Sequence, residues 1–337
     1  MAFGIALSEV RQPMADTLFP WVGSKLKLVP FIIPMVPPSS DTVVDAFGGS
    51  AAFSLGLPPK KGRLDIYNDL NDDLFNLFCC LKERPIALAR ELGFFPVHGR
   101  IPFQFYRNIL NHESDYLKNI DLEKEIIQSE RSFSEEEVQE LLKILDGRAN
   151  LFDVQRAVAF LMVTHGSYNG TCKSVGIRTI NVAAIIERMP KVADRIQSLV
   201  LENKDALKLI PERDGINTVI YADPPYFKTE RRYSVQFLPK DHIELRDALR
   251  DCSGYVILSY NNCKEAWHLY KEDFFIFGLT RNNPMAKKRG AVYKEVIITN
   301  YDPRPLMDIQ IDLFDQTTKK KWELVPLNIP KHIKKTL

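Results

Sequence analysis

The sequence predicts an α/β protein: a doubly wound sheet interrupted by an inserted, mainly helical segment. Three observations lead there. Strand-like apolar runs alternate with helical ones near both ends of the chain, a glycine turn follows the first strand, and a charged helical block separates the two halves.

Residues 41–47 (Asp-Thr-Val-Val-Asp-Ala-Phe) have the look of a buried strand, and Gly48-Gly49-Ser50 leads from it into an apolar helix start. Residues 63–67 give a second strand ending near Asp69, and a helix is expected from about Asp72 to Lys82. Strand-like runs resume at 218–222, 255–260, 274–278 and 295–300. Between them, 83–182 is helical and charged, with Ser134-Glu135-Glu136-Glu137 as a helix N-terminus and 153–165 as an apolar-rich helix. The expected division is therefore one α/β domain from 1–82 and 183–302, an insertion at 83–182, and a Lys-rich tail at 303–337 where strand and helix logic fades.

Length and composition fit an ordinary globular chain: 337 residues, 45% apolar and 26% charged. A net charge of +2 offers no global field for nucleic acid, so any such contact has to come from local basic patches. Five cysteines without a CxxC pair, and six scattered histidines, suggest a reduced cytoplasmic protein without a structural metal. No 18-residue apolar run and no signal-like N-terminal pattern is present.

The most informative stretch is Asp223-Pro224-Pro225-Tyr226, which follows the apolar run 218–222. Prolines cannot continue a strand ladder, so the chain stops here in a fixed shape. That shape can present a carboxylate, a proline carbonyl and an aromatic ring to one planar ligand, the set an exocyclic amine on a nucleobase needs. A simple strand-ending turn would use the same residues.

A second candidate site surrounds Asp45, Phe47, Gly48, Gly49 and Ser50 at the end of the first strand. Glycines there let a ligand approach the backbone, and Asp69, near the end of the next strand, stands where a carboxylate meets a ribose diol in such sheets. Neither GxGxxG nor GxxxxGK[ST] is present, which argues against NAD and against phosphate cradling. Trp21 and Lys25, four apart around Gly23, can clamp a small zwitterion between an aromatic wall and a charge. A surface lysine beside a core tryptophan would look the same.

In this order the segments resemble the Dam-type family of adenine-N6 DNA methyltransferases. That family shows a WxGGK-like start, an FxGSG turn, an acidic NDxN strand end, a target-recognition insertion and then DPPY. Here these stand as Trp21–Lys25, Phe47–Ala51, Asn68–Asn71 and Asp223–Tyr226, with further matches at Asp205, Asp241-His242, Leu258–Asn261 and Glu295–Asn300. Ser24 and Ala51 stand where the family has glycine. The resemblance covers about 18–302. It implies a Rossmann-like methyltransferase sheet with a target-recognition insertion, and S-adenosylmethionine as cofactor. The cofactor's carboxylate would lie near Trp21 and Lys25, its ribose at Asp69, its adenine near Asp205, and the backbone of 47–50 beneath it. Catalysis would fall to Asp223, Pro224, Pro225 and Tyr226, acting on an adenine flipped out of double-stranded DNA.

The resemblance also extends to a recognition hairpin at Tyr168–Lys173 and Asn181-Val182. In GATC-reading members Arg-Tyr-Asn follows Asn-Gly-x-Cys; here Lys173-Ser174-Val175 does, so the resemblance does not extend to the residues that read GATC. Asn169, Lys173 and Arg178 are the candidate DNA contacts of this hairpin, and Lys287, Lys288 and Arg289 those of a basic loop before the last strand. In the tail, Gln310-Ile311-Asp312-Leu313-Phe314 resembles the peptide by which bacterial proteins dock on the sliding clamp, with Gln310, Leu313 and Phe314 as its anchors. An edge strand with period two explains that pattern equally well. A cytoplasmic, nucleoid-associated enzyme is the expectation. Structured RNA as substrate, cytosine-N4 methylation, and a catalytically silent DNA-binding regulator remain open alternatives.

Overall fold

The computed structural model describes residues 17–94, 100–111, 127–129, 132–146, 153–167, 172, 180–227, 237–281, 295–307, 322–331 and 335. Asn169, Lys173, Arg178, Lys287, Lys288, Arg289, Gln310, Leu313 and Phe314 lie outside these residues.

An eight-stranded sheet organises the molecule. Its strands are β1 (Thr42–Asp45), β2 (Leu64–Asn68), β3 (Leu199–Glu202), β4 (Thr218–Ala222), β5 (Tyr255–Asn261), β6 (Phe275–Arg281), β7 (Glu295–Thr299) and β8 (Trp322–Asn328), in the order β3-β2-β1-β4-β5-β7-β6-β8. The five strands β3 to β5 in that order are parallel; β7 runs antiparallel to β5 and β6, and β8 antiparallel to β6. Strand order reverses between β1 and β4, which makes their carboxyl ends the switch point where open α/β sheets bind ligands.

Helices cover both faces: α1 (Val29–Ile32), α2 (Ala52–Gly56), α3 (Asp72–Glu83), α4 (Pro85–Phe94), α5 (Arg100–Asn111), α6 (Glu135–Asp146), α7 (Val154–Gly166), α8 (Val182–Gln197), α9 (Ala206–Arg213), α10 (Pro239–Asp251) and α11 (Lys264–Tyr270). Strand β4 is buried on both sides, as a central parallel strand should be. Its Ile220 and Ala222 pack with α9, α10 and α11, while Val219 and Tyr221 pack with α1 and α2, as period-two geometry requires. A third apolar cluster joins α3, α4, α5, α7 and α8 to Tyr67 of β2 and Leu199 of β3.

Local signals explain the helix starts. The Asn71 side chain accepts from Leu74 N–H at 2.9 Å to begin α3, and Asp153 accepts from Arg156 N–H at 3.0 Å to begin α7. Ser134 and Glu137 bond reciprocally at the start of α6, the capping box expected there.

Two strands depart from the sequence expectation. β3 is a four-residue edge strand in which only Leu199 is buried, too short and too polar to stand out. β8 lies within the tail where strand logic was expected to fade. Its Pro326, which has no N–H to give a ladder, is accommodated beside an irregularity at Ile276/Phe277, and β8 is an outermost strand. Among the described residues, no helix is long and apolar enough to cross a membrane.

Candidate active site

A cavity of about 190 Å³ opens at the switch point, where the carboxyl ends of β1, β2 and β4 converge. Of the residues singled out from sequence, Trp21, Lys25, Asp45, Phe47, Gly48, Gly49, Ser50, Asp69, Asp205, Asp223 and Pro225 line it. Pro224 and Tyr226 adjoin it without forming its wall.

The floor is the turn after β1. Gly48 N–H donates to the Asn68 carbonyl at 2.7 Å, drawing the turn onto β2. A β-carbon at 48 would sit 2.1 Å from the buried Tyr67 ring, so only glycine fits without displacing that ring. Gly49 has φ of +49°, and its N–H donates to Asp69 Oδ2 at 2.8 Å. Ala51 also has positive φ, 57°, at the position where the family has glycine. The left-handed region costs a residue with a β-carbon roughly 1–2 kcal/mol, and the buried methyl of Ala51 returns part of that.

The walls carry carboxylates. Asp45 is 2% exposed; its Oδ2 accepts from the Ser54 hydroxyl at 2.6 Å and its Oδ1 has no hydrogen-bond partner. Burial pushes its pKa up to about 7; Ser54 opposes this, and the charges of Asp223 and Asp69 add to it. Burial also raises the Asp69 carboxyl, against the N–H groups of Asn71 and Gly49 that hold its charged form. Asp205 caps α9 by accepting from Leu207 N–H at 3.0 Å.

Asp223 is held from several sides. Its Oδ1 accepts from Ser259 Oγ at 2.8 Å and from the Tyr226 hydroxyl at 3.1 Å, and its Oδ2 lies 3.0 Å from Lys25 Nζ. The Lys25 ammonium also donates to the Gly23 carbonyl at 2.7 Å and stands 4.7 Å from the centre of the Tyr226 ring. That ring stacks on Tyr260 at 5.2 Å. Phe227 stacks on His242 at 3.8 Å, within the apolar cluster beneath β4 and β5.

Sequence reasoning assigned no role to two residues that shape the site. Ser259 lies in β5, and its neighbour Leu258 is in register with Ala222 of β4, which brings Ser259 to Asp223. Asn68 donates to the carbonyls of Ala46 at 2.9 Å and Lys204 at 3.0 Å and accepts from Lys204 N–H at 2.8 Å, tying the ends of β1 and β2 to the loop before α9. Both stood inside quoted motifs; the signal available was position at a strand's carboxyl end.

Sheet order and cavity define a doubly wound α/β protein with its ligand site at the strand carboxyl ends. The model of the D12 class N6 adenine-specific DNA methyltransferase family matches residues 21–285, most of the chain, and the protein belongs to that family. It is thus an adenine-specific DNA methyltransferase, and its cofactor is S-adenosylmethionine. The cavity suits that cofactor. It joins an unpartnered buried carboxylate oxygen on Asp45, suited to a cationic group, with apolar walls at Phe47, Leu70, Leu207 and Phe237 for a purine.

Proposed function

We propose that the chain methylates the N6 amine of an adenine turned out of double-stranded DNA at a specific sequence. The observation that carries this is the meeting of Asp223 with the Asp45–Ser50 turn in one cavity. In this reading Trp21, Asp45, Phe47, the Gly48–Ser50 backbone, Asp69 and Asp205 hold the cofactor, with Asp69 on its ribose. S-adenosylmethionine supplies a methyl group on positively charged sulfur.

The chain's own part is to prepare the nitrogen. Adenine's exocyclic lone pair is delocalised into the ring. Asp223 and the Pro224 carbonyl accept the two N–H bonds, which favours tetrahedral nitrogen and localises the lone pair. Positive charge developing on nitrogen then meets a fixed carboxylate, already oriented by Ser259 and Tyr226; the cofactor's sulfur would keep the C–S electron pair as a neutral thioether, and the methylated nitrogen would release one N–H proton to solvent. Turning the base out costs a few kcal/mol, of which stacking on Tyr226 returns about 1–3 kcal/mol. Pro225 keeps the turn rigid, so the acceptors do not need to reorganise.

Sequence recognition belongs in this reading to residues 83–182, through Asn169, Lys173 and Arg178, with Lys287, Lys288 and Arg289 on phosphates. Docking on a sliding clamp through Gln310, Leu313 and Phe314 would bring the enzyme to newly copied DNA.

The test is Asp223→Ala, expressed beside the native protein in cells free of DNA methylation, with modified bases read across the genome. The native protein is expected to mark adenine in one sequence context. The variant is expected to leave no mark while still binding S-adenosylhomocysteine by calorimetry. Near-native methylation by Asp223→Ala would refute the mechanism.

A further inference from the structure

The cavity holds a pair of hydroxyls that the catalytic reading does not use. Ser24 and Ser50 both line it, and their hydroxyl oxygens lie 3.1 Å apart. Ser24 belongs to the N-terminal segment, where its N–H donates to the Trp21 carbonyl at 3.2 Å and closes a tight turn. Ser50 is 2% exposed, in the turn after β1. The indole of Trp21 reaches the same place: its Nε1 lies 2.9 Å from where a β-carbon on Gly49 would be. Phe19 and Phe160, with ring centres 6.0 and 5.8 Å from that of Trp21, hold the indole there.

A hydroxyl has one hydrogen to give. Where two hydroxyls bond to each other, one spends its hydrogen and the other keeps it for a further acceptor. The serine pair and the indole N–H thus gather neutral donors beside the glycine turn. The cofactor's amino-acid end carries an ammonium and a carboxylate. Asp45 Oδ1 suits the ammonium, and the carboxylate needs donors. The sequence placed that carboxylate near Lys25. The Lys25 ammonium, however, lies 3.0 Å from Asp223 Oδ2 and donates to the Gly23 carbonyl at 2.7 Å. Lys204, which also lines the cavity, donates to Glu212 at 2.8 Å and precedes Asp205, the residue expected near the adenine. Among the described residues, no arginine lines the cavity.

We infer that Ser24 determines how the cofactor's carboxylate is held: its hydroxyl, paired with that of Ser50, receives the carboxylate, and Lys25 is left to Asp223. This rests on S-adenosylmethionine occupying the cavity as read above, and not on the part Asp223 plays in methyl transfer. Ser24 stands where the family has glycine, so this donor is a property of the present chain.

The experiment uses the full chain without DNA and titrates two ligands by calorimetry. One is S-adenosylhomocysteine; the other is its decarboxylated form, which keeps the amine and lacks only the carboxylate. The native protein is expected to prefer the first. Ser24→Ala and Ser24→Gly should each weaken S-adenosylhomocysteine about tenfold, the worth of one hydrogen bond to a charged group, and move the decarboxylated ligand by less than about twofold. Ser24 is exposed, so both variants are expected to fold as the native protein does. Native preference retained in both variants would overturn the inference, because the carboxylate would then be held elsewhere. An equal loss for the two ligands would overturn it too, by reducing the serine pair to a structural tie. A native protein that binds neither ligand would sink the cofactor's placement and this inference with it. Near-native methylation by Asp223→Ala would sink the catalytic reading alone.

Discussion

Replacing Asp45 by Asn should change how stability depends on pH, by an amount that follows from the site. The Asp45 carboxyl is buried, Ser54 bonds to one of its oxygens, and its pKa stands at about 7 against an ordinary value of 3.8. The folded chain therefore holds this proton more tightly than the unfolded chain does. Below about pH 4 both states are protonated and the group is neutral to folding. Between about pH 4 and pH 7 only the unfolded state ionises, and stability falls by about 1.4 kcal/mol per pH unit. Above about pH 7 the penalty levels off at about 4 kcal/mol. Asn keeps the shape and can still accept from Ser54, but it does not titrate. Urea unfolding of both proteins at about pH 5, 6, 7 and 8 cancels the other titrating groups to first order. The variant's advantage should grow by about 3 kcal/mol from about pH 5 to pH 7 and change little beyond. A difference constant across that window would refute the assignment of an ionisable, desolvated carboxyl at 45.

Other outcomes follow from the same geometry. Gly48→Ala should displace the Tyr67 ring, cost about 1–3 kcal/mol by thermal unfolding, and weaken S-adenosylhomocysteine binding through the turn it distorts. Asn68→Ala removes the bonds to Ala46 and Lys204 and leaves buried groups unpaired, at about 2–4 kcal/mol in urea unfolding. Neutralising Lys287, Lys288 and Arg289 together should weaken binding to all DNA sequences alike and flatten the dependence of affinity on salt; an unchanged slope would remove these three residues from the interface.

Strands β1, β2 and β4 of the parallel half were legible because they are punctuated. Glycines end β1, an acidic Asn-Asp pair ends β2 and prolines end β4, and each stop marks a carboxyl end where the cavity forms. The antiparallel half was legible as strands but not as an order, since nothing local in 275–281 or 295–299 states that β7 lies between β5 and β6. Ser259 and Lys25 show the same limit within the site. Sequence places one in a strand and the other in an N-terminal loop, and their shared contact with Asp223 exists only once the sheet is assembled. β3 and β8 escaped notice because edge strands need little burial, and so carry a weak apolar pattern.

β8 bears on how the enzyme can be shortened. The matched family region ends at residue 285, before β7, so everything after β7 lies outside it and invites trimming as dispensable. Yet the ladder from Ile276 to Arg281 is completed by 322–328. Cutting there would bare a row of amide and carbonyl groups along the sheet, a template for self-association between molecules. The C-terminal segment thus acts as a selvedge, and a truncated enzyme that precipitates would be reporting a frayed border, not a damaged catalytic centre.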